Sequence, residues 1–109
     1  ANLCAALKTN AIMQRLELGY NLLGDASMKE LGDVVEANQH LSYLGLAGNR
    51  ISGTGINTFI ESLKYNTGLT ELNLNHTEIG DKGAEALGDH MLDKQRCFLE
   101  VLRLTDCGI

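Results

Sequence analysis

The feature that most constrains this chain is that it aligns with itself. Leu16-Glu17-Leu18 can be set above Leu44-Gly45-Leu46, Leu72-Asn73-Leu74 and Leu102-Arg103-Leu104, in steps of 28 residues (16 to 44), 28 (44 to 72) and 30 (72 to 102). Three residues before each first Leu stand Met13, Leu41, Leu69 and Leu99. Five residues after it stand Asn21, Asn49, Thr77 and Cys107, and seven after it Leu23, Ile51, Ile79 and Ile109. A chain with a period in this range builds its core by stacking copies of one small unit, because no single copy can bury its apolar face alone.

The two halves of the unit carry different periodicities. Alternation through each Leu-x-Leu predicts a short strand with its leucines inward. In the second half Met28, Leu31 and Val35 align with Ile56, Phe59 and Leu63, then with Ala84, Leu87 and Met91. That spacing of three and seven is one face of an α-helix. Gly24-Asp25, Ser52-Gly53 and Gly80-Asp81 suit the turns into these helices. Leu3 and Leu7 fit the same helix register one period earlier, so the chain is expected to open inside a helix and to close after a strand. Helical crossovers make the strands parallel. The expected architecture is therefore α/β: a solenoid arc of about four repeat units, with a concave parallel sheet and convex helices, as a single domain over residues 1–109. Asn21 and Asn49 are expected to satisfy backbone groups in the buried turn after each strand. Thr77 and Cys107 hold the same place with less hydrogen-bonding capacity, and a softer turn is expected there.

The string L-x-x-L-x-L-x-x-N/C-x-L resembles the leucine-rich repeat signature. The long period, the Asn-or-Cys ladder and the helix starts Gly55 to Phe59 and Gly83 to Leu87 resemble the ribonuclease-inhibitor-like class in particular, over nearly the whole chain. That class includes ribonuclease inhibitor, the Ran GTPase-activating protein, NOD-like receptor arrays and the tropomodulin C-terminal domain. Asn49-Arg50-Ile51-Ser52-Gly53-Thr54-Gly55-Ile56, then Glu61-Ser62-Leu63 and Asn66-Thr67, is similar to tropomodulin. The resemblance implies a protein partner and no shared chemistry, and it does not name the partner.

Residues alternating with the buried leucines should point to the concave side. They form three columns: Arg15, Tyr43, Glu71 and Val101; Glu17, Gly45, Asn73 and Arg103; Gly19, Ala47, Asn75 and Thr105. Tyr20, Gly48, His76 and Asp106 lie at the rim beyond. Gly19, Gly45, Ala47 and Gly48 are expected to make a bare floor, with Tyr20, Tyr43, Arg15 and Arg103 standing around it. Tyr and Arg are favoured anchor types at protein interfaces. The expected partner-binding set is Arg15, Glu17, Tyr20, Tyr43, Glu71, Asn73, Asn75, His76 and Arg103. Asp33, Glu36, Glu61, Glu85, Asp89 and Asp93 fall on the helical side and read as a solvated convex face.

Composition narrows the remaining classes. A net charge of −5 with nine scattered basic residues argues against nucleic acid. No apolar run approaches the roughly 18 residues of a membrane span, and no secretory signal is visible at Ala1-Asn2-Leu3-Cys4. The missing initiator Met suggests a piece of a longer array. Cys4, Cys97 and Cys107 are odd in number and irregular in spacing, so reduced thiols and a cytoplasmic setting are expected.

Catalytic and cofactor chemistry finds little support. The glycines of Gly48 to Gly55 lack the Lys a phosphate loop needs, since Thr54 follows Gly53. His40, His76, His90 and Cys97 fall at different phases of the repeat, so no metal site is expected. Cys107 stands beside Asp106, but its ladder position should bury it and a buried thiol is a poor thiolate; Cys97, in the two-residue insertion of the third repeat, is expected to be the more exposed thiol and has no base to activate it. Asn75-His76-Thr77 matches a glycosylation sequon, but Thr77 is expected to be buried. The reading is a non-catalytic protein-interaction module without a cofactor. The alternatives are a regulatory domain of GTPase-activating or inhibitor type, or a tropomodulin-like actin-binding repeat domain. Strands at the ends of the arc would leave unpaired edges, so end-to-end self-association is also expected.

Overall fold

A computed structural model describes residues 13–66, 68–93, 95 and 97–109. The expectations for Leu3, Cys4 and Leu7 lie outside the described residues. The elements are β1 (Arg15–Glu17), α1 (Asp25–Ala37), β2 (Tyr43–Gly45), α2 (Gly53–Leu63), β3 (Glu71–Asn73), α3 (Gly80–Leu92) and β4 (Val101–Arg103). The strands pair in parallel in the order β1-β2-β3-β4. Leu16, Leu44, Leu72 and Leu102 lie side by side across the sheet. This register follows the self-alignment of the sequence, because equivalent residues of stacked units must fall opposite one another.

The core lies between the sheet and the helices. Leu44 and Leu72 of the inner strands and Leu46 and Leu74 just after them are fully buried, with Met28, Ile56, Phe59 and Leu87 from the helices above them. Leu16 and Leu102 of the outer strands and Leu18 and Leu104 just after them are only partly buried. Helix α3 departs from the expected face: Ala84 is half-buried and Met91 is exposed, so neither joins the core. Among the described helices, α3 packs against α2 alone, and the side away from α2 has nothing to cover it.

The turn after each strand is held by the ladder. Asn49 Oδ1 accepts from the amides of Asn21 (3.0 Å) and Leu23 (2.9 Å). Its Nδ2 donates to the carbonyls of Leu18 (2.9 Å) and Leu46 (3.0 Å). One buried side chain thus joins two repeats. Asn21 does not do the same: it is exposed, and its amide Nδ2 donates to Gly19 O at 3.1 Å. At Thr77 and Cys107 the ladder has fewer bonds, in line with their smaller hydrogen-bonding capacity. Thr77 Oγ1 and Cys107 Sγ both donate to Leu74 O, at 2.7 and 3.0 Å, and lie 3.6 Å from each other. A hydroxyl and a thiol on adjacent units share one carbonyl where Asn49 used an amide.

A second ladder runs at the helix ends. Asn66 Nδ2 donates to Val35 O in the preceding unit, while its Oδ1 accepts from the amides of Gly68 (2.9 Å) and Leu69 (2.6 Å). Asn38, one period earlier, is likewise buried and accepts from His40 N at 3.2 Å. Helix starts are tied across units too. Ser52 caps α2 by accepting from Thr54 N, and Asp25 of α1 accepts from Ser52 N at 2.8 Å.

Candidate functional site: the concave face

All three expected columns form. The first two follow from the strand pairing, and the third from bonds that continue it, such as Gly48 N to Asn75 O at 2.9 Å and His76 N to Thr105 O at 2.8 Å. The floor, however, is not bare. Glu17 lies over Gly45, where a Cβ would meet its carboxylate oxygens at 2.4 Å. The ring of Tyr20 lies over Gly48, where a Cβ would sit 2.2 Å from the ring. The small residues accept side chains from the neighbouring strand, and a partner does not reach the backbone there without displacing them.

Tyr43 is the centre of this arrangement. It is only 8% exposed, so it supports the surface and is not an accessible anchor. Its hydroxyl donates to Glu17 Oε2 at 2.8 Å, and the Arg15 guanidinium stacks 4.1 Å from its ring centroid. Burial pushes the Tyr43 phenol above its ordinary value, and the bond to Glu17 adds to the rise while Asn73 opposes it. Glu17 is fixed twice, since its Oε1 also accepts from Gly19 N at 2.9 Å. Locked side chains of this kind present a surface at low entropic cost.

The β3–β4 end of the same face is charged and more open. Arg103 Nε donates to Glu71 Oε2 at 3.4 Å, across β3 and β4. Asn73 Oδ1 accepts from Asn75 N at 3.0 Å, and Asn75 Oδ1 accepts from Thr105 N at 2.7 Å. At the rim His76 Nδ1 lies 3.2 Å from Asp106 Oδ2. The structure therefore brings Arg15, Glu17 and Tyr43 into one group, Glu71 and Arg103 into a second, and His76 with Asp106 into a third.

Rim geometry adds a feature the repeat alone did not disclose. Tyr20, Gly48, His76 and Asp106 all adopt left-handed backbone, with φ of 59°, 69°, 60° and 56°. Only glycine does so without strain. Tyr20, whose ring lies on Gly48, is 69% exposed, and His76 and Asp106 are exposed at the same place in the next units. Leu22, two residues on, is also left-handed (φ 59°) and 70% exposed. Sequence reading missed Leu22 because it lies between the ladder Asn21 and the core-facing, partly buried Leu23. Among the described residues no three His, Cys, Asp or Glu side chains gather to hold a metal, and no helix is long and apolar enough to cross a membrane.

Comparison with known proteins agrees with this architecture. A leucine-rich repeat family model matches residues 37–63 and 65–88. Ribonuclease inhibitor of Sus scrofa is 32% identical over 106 residues, which is 96% of this chain and 23% of that protein. NACHT, LRR and PYD domains-containing protein 3 of Bos taurus is 34% identical over 110 residues, 99% of this chain and 10% of that protein. The chain thus spans less than a quarter of the curated relatives it matches. The solved structure of leiomodin-1 actin-binding site 2 superposes with a TM-score of 0.83 at 25% identity, covering 93% of this chain and 58% of that one. With the repeat, the parallel sheet, the ladders and these relatives in agreement, the chain belongs to the leucine-rich repeat proteins of the ribonuclease-inhibitor-like class.

Proposed function

We propose that this chain is a non-catalytic recognition module that presents its concave face and strand-end rim to a protein partner. The observation that carries the reading is the pairing of a locked surface with outward anchors. Arg15, Tyr43 and Glu17 hold one another in place, while Tyr20 and Leu22 project from the rim in a backbone conformation that other forces must maintain. Exposed aromatic and apolar groups on a rigid base are what anchor protein interfaces. Arg103, Glu71, Asn73, Asn75 and His76 supply the polar margin. Cys97 and Cys107 are free thiols, which suits a reducing, cytoplasmic setting.

The test is capture of partners from a eukaryotic lysate, comparing the chain with a Tyr20→Ser, Leu22→Ser, Arg103→Glu version of matched circular dichroism. A protein retained by the first and lost by the second is the expected result. Identical captures by both, or capture of nothing by either, overturn the concave-face reading. Tyr43 is left intact because removing it would collapse the group beneath the surface.

A second reading is favoured by one comparison. The superposition on leiomodin-1 actin-binding site 2 supports an actin-binding repeat domain. Co-sedimentation with filamentous actin and gel filtration with monomeric actin separate it from the general reading. Binding to neither form removes it.

A further inference from the structure

We propose that Arg50, which falls outside the expected binding set, joins Leu22 and Tyr20 in binding an acidic segment of the partner, one in which a carboxylate closely follows an apolar side chain. The inference rests on the reading of the rim as a recognition surface and adds a residue and a partner chemistry to it. Leu22, Arg50, Glu78 and Gly108 hold one position in successive units, just after the ladder residue, and all four are exposed. Arg50 and Glu78 have a unit on either side, so this row faces solvent within the arc and not only toward an end. Leu22 and Gly108 are both left-handed, with φ of 59° and 72°. Glycine takes that conformation freely and leucine does not. A leucine that is 70% exposed buries little in return for the strain. Backbone strain without a packing return clusters at ligand-binding positions.

The backbone sets Arg50 beside this leucine. Arg50 N donates to Leu23 O at 2.7 Å, and Arg50 pairs with Gly24 in a parallel bridge. The ring of Tyr20 lies on Gly48, two residues before Arg50 in the same unit. An exposed aromatic, an exposed aliphatic and a guanidinium thus border one stretch of rim. The Arg50 side chain has no hydrogen bond or ion pair among the described residues, whereas Arg15 stacks on Tyr43 and Arg103 pairs with Glu71. Asp25, next in the chain to Gly24, is engaged by Ser52, whose amide donates to it at 2.8 Å and whose hydroxyl donates as well. A partner carboxylate therefore meets the guanidinium fork without displacing an internal one.

The row also gives the segment a direction. Successive units lie about 4.8 Å apart, so Leu22, Arg50 and Glu78 offer an apolar, a basic and an acidic place within roughly 10 Å. An extended segment covers that length in about three residues. The segment that fits carries an apolar residue, then Asp or Glu, then a cation toward Glu78 and Asp106. The chain's net charge of −5 repels it little, because charges farther off than about 8–10 Å are largely screened at physiological salt.

The experiment pans random peptides displayed on phage against the full chain, then measures the affinity of the best synthetic peptide by titration calorimetry. The enriched peptides are expected to share Asp or Glu within about three positions of a Leu, Ile or aromatic residue. Changing that carboxylate to its amide, Arg50→Glu in the chain, and Leu22→Gly in the chain should each weaken binding about tenfold. Leu22→Gly should do so without lowering the thermal midpoint, because glycine relieves the left-handed backbone. Added salt should weaken the acidic peptide more than its amide form. The inference is overturned if no peptide is enriched, if the enriched peptides share no carboxylate, or if Arg50→Glu leaves their affinity unchanged. Peptides lost with Arg103→Glu but kept with Arg50→Glu also overturn it, and they leave the recognition reading standing. That broader reading falls only to the lysate comparison.

Discussion

Asn49, itself buried, bonds to five backbone groups of two repeats. Its replacement leaves buried donors and acceptors unpaired, each costing about 1–3 kcal/mol. Asn49→Ala should therefore lower the unfolding free energy by about 3 kcal/mol, while Asn21→Ala, at an exposed copy of the same position, should change it by less than about 0.5 kcal/mol. Urea denaturation of the two variants checks the contrast. His90 gives a second expectation at this scale. Its pKa is lowered in the folded chain, so the unfolded chain takes up the proton first as pH falls. Stability from this residue is complete above about pH 6.5 and declines as pH drops from there toward the folded-state value. Urea midpoints measured down a pH series should show that decline, and His90→Gln should flatten it.

Helices α1 and α2 approach each other closely at Gly32, where a Cβ would stand 2.4 Å from Ser62 Oγ and 2.9 Å from Ser62 Cβ. Ser62 is itself buried and has little room to give. Gly→Ala inside a helix normally gains up to about 1 kcal/mol, but overpacking costs about 1–3 kcal/mol. Gly32→Ala should thus lower the thermal midpoint, whereas Gly88→Ala on α3, with nothing within 4 Å of the new methyl, should raise it. The same contrast separates what could be read early from what could not. Strand positions, register and the buried faces of α1 and α2 were legible, because each depends on residues that recur every 28 or 30, while α3 kept only Leu87 of its expected face in the core. The covered floor was not, because it depends on how Glu17 and Tyr20 bend toward Gly45 and Gly48, and side-chain direction leaves no period in a sequence. Tyr43 was picked out as part of the concave face, but its burial under Arg15 follows from one particular neighbour on the next strand.

At the scale of the whole molecule the described arc ends on β4, whose outer edge carries no further strand among the described residues. Around that end Leu92, Phe98, Val101 and Ile109 are all exposed. An edge strand with apolar neighbours is a template for pairing with another chain unless charge or cover blocks it. Arg103 is the charge present on β4, and Glu71 of β3 neutralises it locally. In solution, this chain by itself should therefore associate with a second copy through β4, and the association should strengthen with concentration. Sedimentation velocity across a dilution series measures it, and Val101→Lys should shift the chain to the monomer because the added charge would sit unpaired in the new sheet. A chain that stays monomeric at all concentrations would mean that the apolar end is held apart by the net charge of −5. Raising the salt concentration, which screens that repulsion, would then restore association.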